Sequence, residues 1–321
     1  MRYPLTLPAM LERAERFFPH KEVVSRTASG IFRYTYREYG ERVRRLASAL
    51  LALGVRKGDR IATLGWNQHR HLEAYFAIPS IGAVLHTCNL RLPPAHLAHI
   101  INHAEDRIVL VDADLVPLVE SVAPELRTVE RYVVMSDGRE VPPTTLPHAA
   151  SYEALVGAAE PLRRWPELDE WDPAGMCFSS ATTGLPKGVT YTHRAMWLHS
   201  LVWGLADTVG VSERDTTLIV VPMFHANAWG TPFTGVWMGS KLVLPGPRPD
   251  AKVFCELIQD ERVTLAAGVP TVWMGVLALL ETTSYDLSSL DRIVCGGSAP
   301  PRALIEAVEK RLGARFIHAY G

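Results

Sequence analysis

Cysteine is scarce in this sequence: four residues in 321, at Cys88, Cys177, Cys255 and Cys295. No Cys-x-x-Cys pair occurs, which excludes a zinc ribbon and a disulfide framework and reads as reduced, mostly buried thiols of a cytosolic chain. An excess of either charge is also missing. With 33 basic against 34 acidic residues and a net charge of −1, no basic field exists to attract DNA or RNA. Disorder is excluded by 48% hydrophobic and 21% charged residues. A secretory leader is not expected, because Glu12, Arg13, Glu15 and Arg16 interrupt the opening residues. Only residues 216–240 lack Asp, Glu, Lys and Arg for a membrane-spanning length, and Pro222, His225, Asn227, Pro232 and three glycines interrupt them. They read as buried strand, loop and buried helix, leaving no integral membrane segment.

What is present is the alternation of short β-branched runs with amphipathic helices, which predicts α/β architecture: two doubly wound, mostly parallel sheets with flanking helices. Strands are expected at 60–64, 83–86, 108–111, 218–221, 292–295 and 316–318, and helices at 70–78, 94–104 and 302–312. Residues 141–165, rich in Pro, Ala and Thr, read as a surface excursion. His96, His99 and His103 share one helical face, but without carboxylate or cysteine ligands at a fixed spacing a polar solvent face explains them better than zinc. His69 and His71 receive the same reading.

Three strands run into segments of small or polar residues, and ligands in such sheets sit beyond strand carboxyl ends. The first segment is Ser179-Ser180-Ala181-Thr182-Thr183-Gly184-Leu185-Pro186-Lys187-Gly188. Its hydroxyls, exposed N–H groups, flexible glycines and one lysine suit phosphate oxygens. Gly-x-x-x-x-Gly-Lys-Ser/Thr is absent, and residues 189–192 alternate like a strand, so the segment is expected to join two strands and disfavours a Walker-type NTPase. The second is Pro222-Met223-Phe224-His225. The third, Gly296-Gly297-Ser298-Ala299-Pro300, is by itself equally a strand-to-helix turn. A lone His225 among apolar residues is by itself more often a hydrogen-bonded core histidine than a catalyst.

In order, these segments, with Thr35-Tyr36-Arg37-Glu38, Asn89-Leu90-Arg91-Leu92, Asn102-His103-Ala104-Glu105-Asp106 and the final Tyr320-Gly321, resemble the adenylate-forming (AMP-binding) superfamily. Within it they are closest to bacterial medium- and long-chain fatty acyl-CoA synthetases. The resemblance implies a fatty acid–CoA ligase with ATP, Mg²⁺ and coenzyme A as cofactor and co-substrates. It implies that Ser179, Ser180, Ala181, Thr182, Thr183, Gly184 and Lys187 hold the triphosphate, with Thr182 at the metal. Gly296, Gly297, Ser298, Ala299, Pro300, Tyr320 and Gly321 would take the adenine end. Lys187, Thr182 and His225 would serve catalysis, His225 by positioning the α-phosphate and carboxylate, since an ionised carboxylate needs no base. Phe224, His225, Trp229, Gly268, Val269 and Pro270 are candidate acyl-pocket walls; Trp273 is at least as readily core.

The resemblance further implies one incomplete large N-terminal domain. Its subdomains are expected at about 57–206, with the phosphate loop, and at about 1–56 plus 207–321, with the acyl pocket and adenine loop. The family continues after Tyr-Gly with a Thr-Glu pair, a ribose-binding aspartate and a small C-terminal domain bearing a lysine. None is in this sequence, so the fragment is expected to be inactive by itself. Ala181 replaces the family's usual glycine, and reduced ATP affinity follows if that position needs positive φ. An aryl- or short-chain acid CoA ligase, or a non-catalytic nucleotide- or acyl-binding module, remains the alternative. Expected partners are fatty acid and ATP, with peripheral membrane contact and a homodimer left open and a cytoplasmic location.

Overall fold

The computed structural model describes residues 3–180 and 184–320. An antiparallel hairpin, β1 (Glu22–Thr27) and β2 (Gly30–Thr35), comes first. Strands β3 (Arg60–Leu64), β4 (Val84–Thr87), β5 (Asp106–Asp112), β6 (Arg131–Met135), β7 (Ala149–Ser151), β8 (Pro173–Phe178) and β9 (Gly188–Thr192) then build sheet I in the order β7-β6-β5-β3-β4-β8-β9. Strands β10 (Thr216–Leu218), β11 (Lys241–Leu244), β12 (Leu265–Gly268), β13 (Arg292–Cys295) and β14 (Arg315–His318) join the first hairpin in sheet II, ordered β14-β13-β12-β10-β11-β1-β2. Pairing is parallel except for β1–β2 and β8–β9.

Helices cover both faces of each sheet. Between the sheets lie α1 (Leu7–Phe17), α2 (Tyr36–Ala52), α3 (His69–Ser80), α6 (Tyr152–Ala158) and α8 (Thr231–Met238), whose apolar residues share one core. Outside sheet I pack α4 (Pro94–Ala104) and α5 (Val116–Val122); outside sheet II pack α9 (Ala251–Glu261), α10 (Pro270–Leu279) and α11 (Arg302–Leu312). The remaining long helix, α7 (His193–Gly204), follows the hairpin β8–β9 and packs on α8. Local signals start these elements. Thr35 and Glu38 form a reciprocal capping box for α2, which gives the Thr-Tyr-Arg-Glu segment a structural job of its own.

Sandwiching overrides the surface reading of two histidines. All of α3 is buried, so His69 and His71 are core residues and not a solvent face. His69 stacks on Phe32 and meets Ser25, while His71 lies between the Trp66 carbonyl and Thr63. Burial holds His71 at a pKa of about 4, so it packs as a neutral ring. His96 and His99 are half-buried and His103 exposed, and no cluster of three potential metal ligands occurs among the described residues.

Two boundaries also move. The strand expected at 218–221 ends at Leu218, because the buried Asn67 amide takes over the backbone beyond it. Asn67 donates to the carbonyls of Ile219 and Val221 and accepts from Met223 N–H. Residues 141–165 are more ordered than their composition suggests, carrying β7 and α6 with Ser151 as helix cap. Among the described residues no helix is long and apolar enough to cross a membrane, and residues 216–240 contain β10, a loop and the buried α8.

Candidate active site

Parallel pairing puts the ends of β4 and β8 on one edge of sheet I, and the ends of β10, β12, β13 and β14 on one edge of sheet II. The loop after β8 is the turn of the antiparallel hairpin β8–β9, as the alternation of residues 189–192 led one to expect. Its neck is closed twice: Ser179 N–H donates to the Lys187 carbonyl at 3.0 Å, and Lys187 N–H donates to Ser179 Oγ at 3.0 Å. Ser179, Ser180, Gly184 and Lys187 are exposed. Gly184 has φ +82° and open space around it, so conformation and not crowding requires glycine there. Ala181, Thr182 and Thr183 lie outside the described residues, and with them the expected metal contact of Thr182.

The two glycines after β13 differ in their reasons. A Cβ on Gly296 would stand 2.7 Å from the Ala319 carbonyl oxygen, so this glycine lets two backbone segments approach each other. Gly297 has φ +81° and lies against Val269 Cγ1 and Trp229 Cζ2. Ser298 and Ala299 are exposed and Pro300 half-buried; α11 begins only at Arg302, with Pro301 as its N-cap residue. Tyr320 is 99% exposed. Gly321 lies outside the described residues.

A cavity of about 650 Å³ opens beside the segments after β13 and β14. Of the residues expected from the sequence, Trp229, Gly296, Gly297 and Tyr320 line it. Others do not. Phe224 is buried edge-on against Trp66, Gly268 backs onto Trp273 and Val220, and Pro270 is the buried first residue of α10. Val269 stands behind Gly297. The remaining wall was missed from sequence: Tyr191 of β9, then Ala195, Met196, His199 and Trp203 of α7, with Asn227 and Phe233 opposite. One signal was available. Residues 195–203 are apolar on every face instead of one stripe, which suits a helix with the core on one side and a cavity on another.

His225 is half-buried beside this wall, next to the cavity residue Ala226. Burial, then the positive charge of Arg91, lowers its pKa below the ordinary histidine value, so the ring is neutral at pH 7. Its Nδ1 has no hydrogen-bond partner among the described residues. The next four residues, Ala226 to Trp229, have φ of 45°, 49°, 51° and 53°, a left-handed turn without glycine. Such backbone costs about 1–2 kcal/mol per residue. Tertiary contacts hold it: Thr87 Oγ1 donates to Asn227 Oδ1 at 2.9 Å, Thr231 Oγ1 donates to the Ala228 carbonyl, and Ala228 is fully buried. The turn presents Asn227 and Trp229 to the cavity together.

The class these features define is an α/β ligand-binding domain with a hydroxyl- and glycine-rich hairpin loop and an apolar cavity lined by α7, the left-handed turn and the segments after β13 and β14. The chain belongs to the AMP-binding enzyme family, which it matches over residues 11–321. It is 50% identical over 99% of its length to a long-chain-fatty-acid–CoA ligase of Thermus thermophilus, covering 57% of that protein. It is 42% identical over its full length to a medium-chain-fatty-acid–CoA ligase of Ectopseudomonas oleovorans, covering 59% of it. Among solved structures, an anthranilate CoA ligase with anthranoyl-AMP superposes with a TM-score of 0.89 at 25% identity, over 98% of this chain and 60% of that one. The chain thus spans somewhat more than half the length of the curated relatives it matches.

Proposed function

We propose that this chain carries the nucleotide- and acid-binding part of an ATP-dependent fatty acid–CoA ligase acting on medium- or long-chain acids. The observation that supports the reading is the cavity: apolar and aromatic walls from α7 and α8 lead to Gly297 and Tyr320, which follow β13 and β14. Apolar walls favour an alkyl chain at about 0.8 kcal/mol per buried CH₂. The relatives named as long- and medium-chain ligases support the same substrate class.

In the first step of this chemistry a carboxylate oxygen bonds to the α-phosphorus of ATP and the bond to pyrophosphate breaks. In the second, the sulfur of coenzyme A bonds to the acyl carbon and AMP leaves. Two anions must be brought together, so fixed donors and positive charge are needed around the phosphates. On this reading the exposed hydroxyls of Ser179 and Ser180, the backbone at Gly184 and the Lys187 ammonium receive the triphosphate. Thr182 and Thr183 would join them. Gly297 admits the nucleotide beside Tyr320, and neutral His225 offers a ring nitrogen to the α-phosphate or carboxylate without competing for a proton. Magnesium would be bound mainly by the nucleotide's own oxygens, with Thr182 beside it.

Calorimetric titration of the chain with Mg·ATP, with straight-chain acids of increasing length and with benzoate tests this. Binding of Mg·ATP and of fatty acids, rising in affinity with chain length, is the expected result. Preference for benzoate would move the reading to an aryl-acid ligase, and failure to bind nucleotide would remove it.

A further inference from the structure

We propose that His86 and Asp106, which the reading above leaves unused, are positioning residues for the phosphate loop: a buried ion pair that holds Phe178 against the neck of the hairpin and thereby sets where Lys187 stands. The inference rests on the nucleotide reading of that loop. His86 in β4 and Asp106 in β5 are both 0% exposed, and His86 Nδ1 meets Asp106 Oδ2 at 2.6 Å. The pair sits against an apolar cluster. Burying two charges in such a place is expensive, and well-packed apolar residues often replace a buried pair without loss, so fold stability is a poor reason for it. Asp106 Oδ1 has no hydrogen-bond partner among the described residues, which a purely structural carboxylate rarely tolerates.

The pair reaches the hairpin through one side chain. The His86 ring lies 5.1 Å from the ring of Phe178, tilted by 47°, within the range at which a cation is attracted to an aromatic face. Phe178 is the last residue of β8, and the loop begins with Ser179. Its ring covers Gly188 so closely that a Cβ there would stand 2.9 Å from Phe178 Cζ. Gly188 adjoins Lys187, whose main chain is already tied to Ser179 at both its N–H and its carbonyl. A contiguous path therefore runs from Asp106 through His86 and Phe178 to the lysine's backbone. A shift of about 1 Å in such a cradle is enough to weaken phosphate binding severalfold.

Charge on the imidazole is what an apolar ring could not supply. Burial alone would strip its proton, but the adjacent Asp106 carboxylate opposes this and raises the His86 pKa well above the ordinary value, while the same burial raises Asp106 and the Cys88 thiol. The other titratable groups around the pair are Arg60, which acts on Asp106, Cys177 of β8, and His103 of α4, whose ring meets the edge of Phe178.

The test replaces the pair by apolar residues, His86→Phe with Asp106→Leu, and titrates the whole chain with Mg·ATP and separately with dodecanoate. Mg·ATP should bind about tenfold more weakly while dodecanoate affinity and melting temperature stay close to those of the unaltered chain. Phe178→Leu, which leaves the ion pair in place, should cause a similar loss and add little to the double variant. The nucleotide affinity of the unaltered chain should decline as rising pH removes the His86 proton, and the double variant should not show that decline. Unchanged Mg·ATP affinity in the double variant, or equal weakening of both ligands, overturns the proposal. Absence of Mg·ATP binding by the unaltered chain refutes instead the nucleotide reading on which it rests.

Discussion

Two adjacent glycines, Gly296 and Gly297, should respond differently to the same added methyl group. In Gly296→Ala the new Cβ falls 2.7 Å from the Ala319 carbonyl oxygen and 3.4 Å from its carbon, so backbone must move. That strains the Ala319 N–H to Cys295 carbonyl bond of 2.8 Å which anchors the end of β14. Overpacking of this kind costs about 1–3 kcal/mol, and a weakened hydrogen bond adds about 1 kcal/mol. In Gly297→Ala the methyl meets only side chains, Val269 Cγ1 at 3.1 Å and Trp229 Cζ2 at 3.6 Å, but φ of +81° disfavours any L-residue. Its cost is about 1–2 kcal/mol. Each kcal/mol lowers the melting temperature of a large domain by roughly 2–4 °C, so Gly296→Ala should melt several degrees below Gly297→Ala in scanning calorimetry. Ligand binding should rank them the other way: the Gly297 methyl enters the cavity and should weaken AMP binding by about tenfold. A Gly297→Ala chain that melts lower than Gly296→Ala yet binds AMP normally would refute the reasoning.

Lys187→Ala should weaken Mg·ATP at least about tenfold by calorimetry while moving the melting temperature by less than about 1 °C, because the side chain is exposed; normal affinity would contradict the anion role. Ala181→Gly should raise nucleotide affinity, and equal affinities would show that the alanine is tolerated. Buried His71 and His193 each have a pKa of about 4 against an ordinary 6.5. The unfolded chain takes up their protons first, so stability present above pH 6.5 is lost as pH falls toward 4, by up to roughly 3 kcal/mol for each. Denaturant titrations at pH 7 and 4.5 should show a smaller drop for His71→Gln than for the parent, and an identical drop would oppose this account. Trp203→Ala enlarges the cavity and should move the preferred acid to a longer chain by about two methylenes or more in a binding series; an unchanged optimum would mean that the alkyl chain runs elsewhere.

The hairpin turn of the candidate site was legible in the sequence because its signals are local. A stretch such as 179–188 needs hydroxyls, glycine and lysine close together along one chain, and Val189 to Thr192 already betrayed the returning strand. The α/β rhythm was legible for the same reason: periods of 2 and 3.6 are written in neighbouring residues. The cavity was not legible, because its walls come from β9, α7, the left-handed turn and the ends of β13 and β14, and no periodicity links Tyr191 to Asn227 or Tyr320. Phe224 shows the converse: its place beside His225 suggested a pocket wall, whereas Trp66 claims its ring.

What this sequence determined by itself were the properties that adjacent residues decide: helix caps such as Thr35–Glu38, the hairpin and its anion-suited loop, and the turns where Gly184 and Gly297 reach positive φ. Tertiary structure alone decided burial and charge. Sandwiching α3 between two sheets turned His69 and His71 into neutral core rings, while Asp106 raises the pKa of the equally buried His86. The residue type is the same in all three. The free energy of a proton depends on what surrounds it, and those surroundings are assembled from residues tens to hundreds of positions apart.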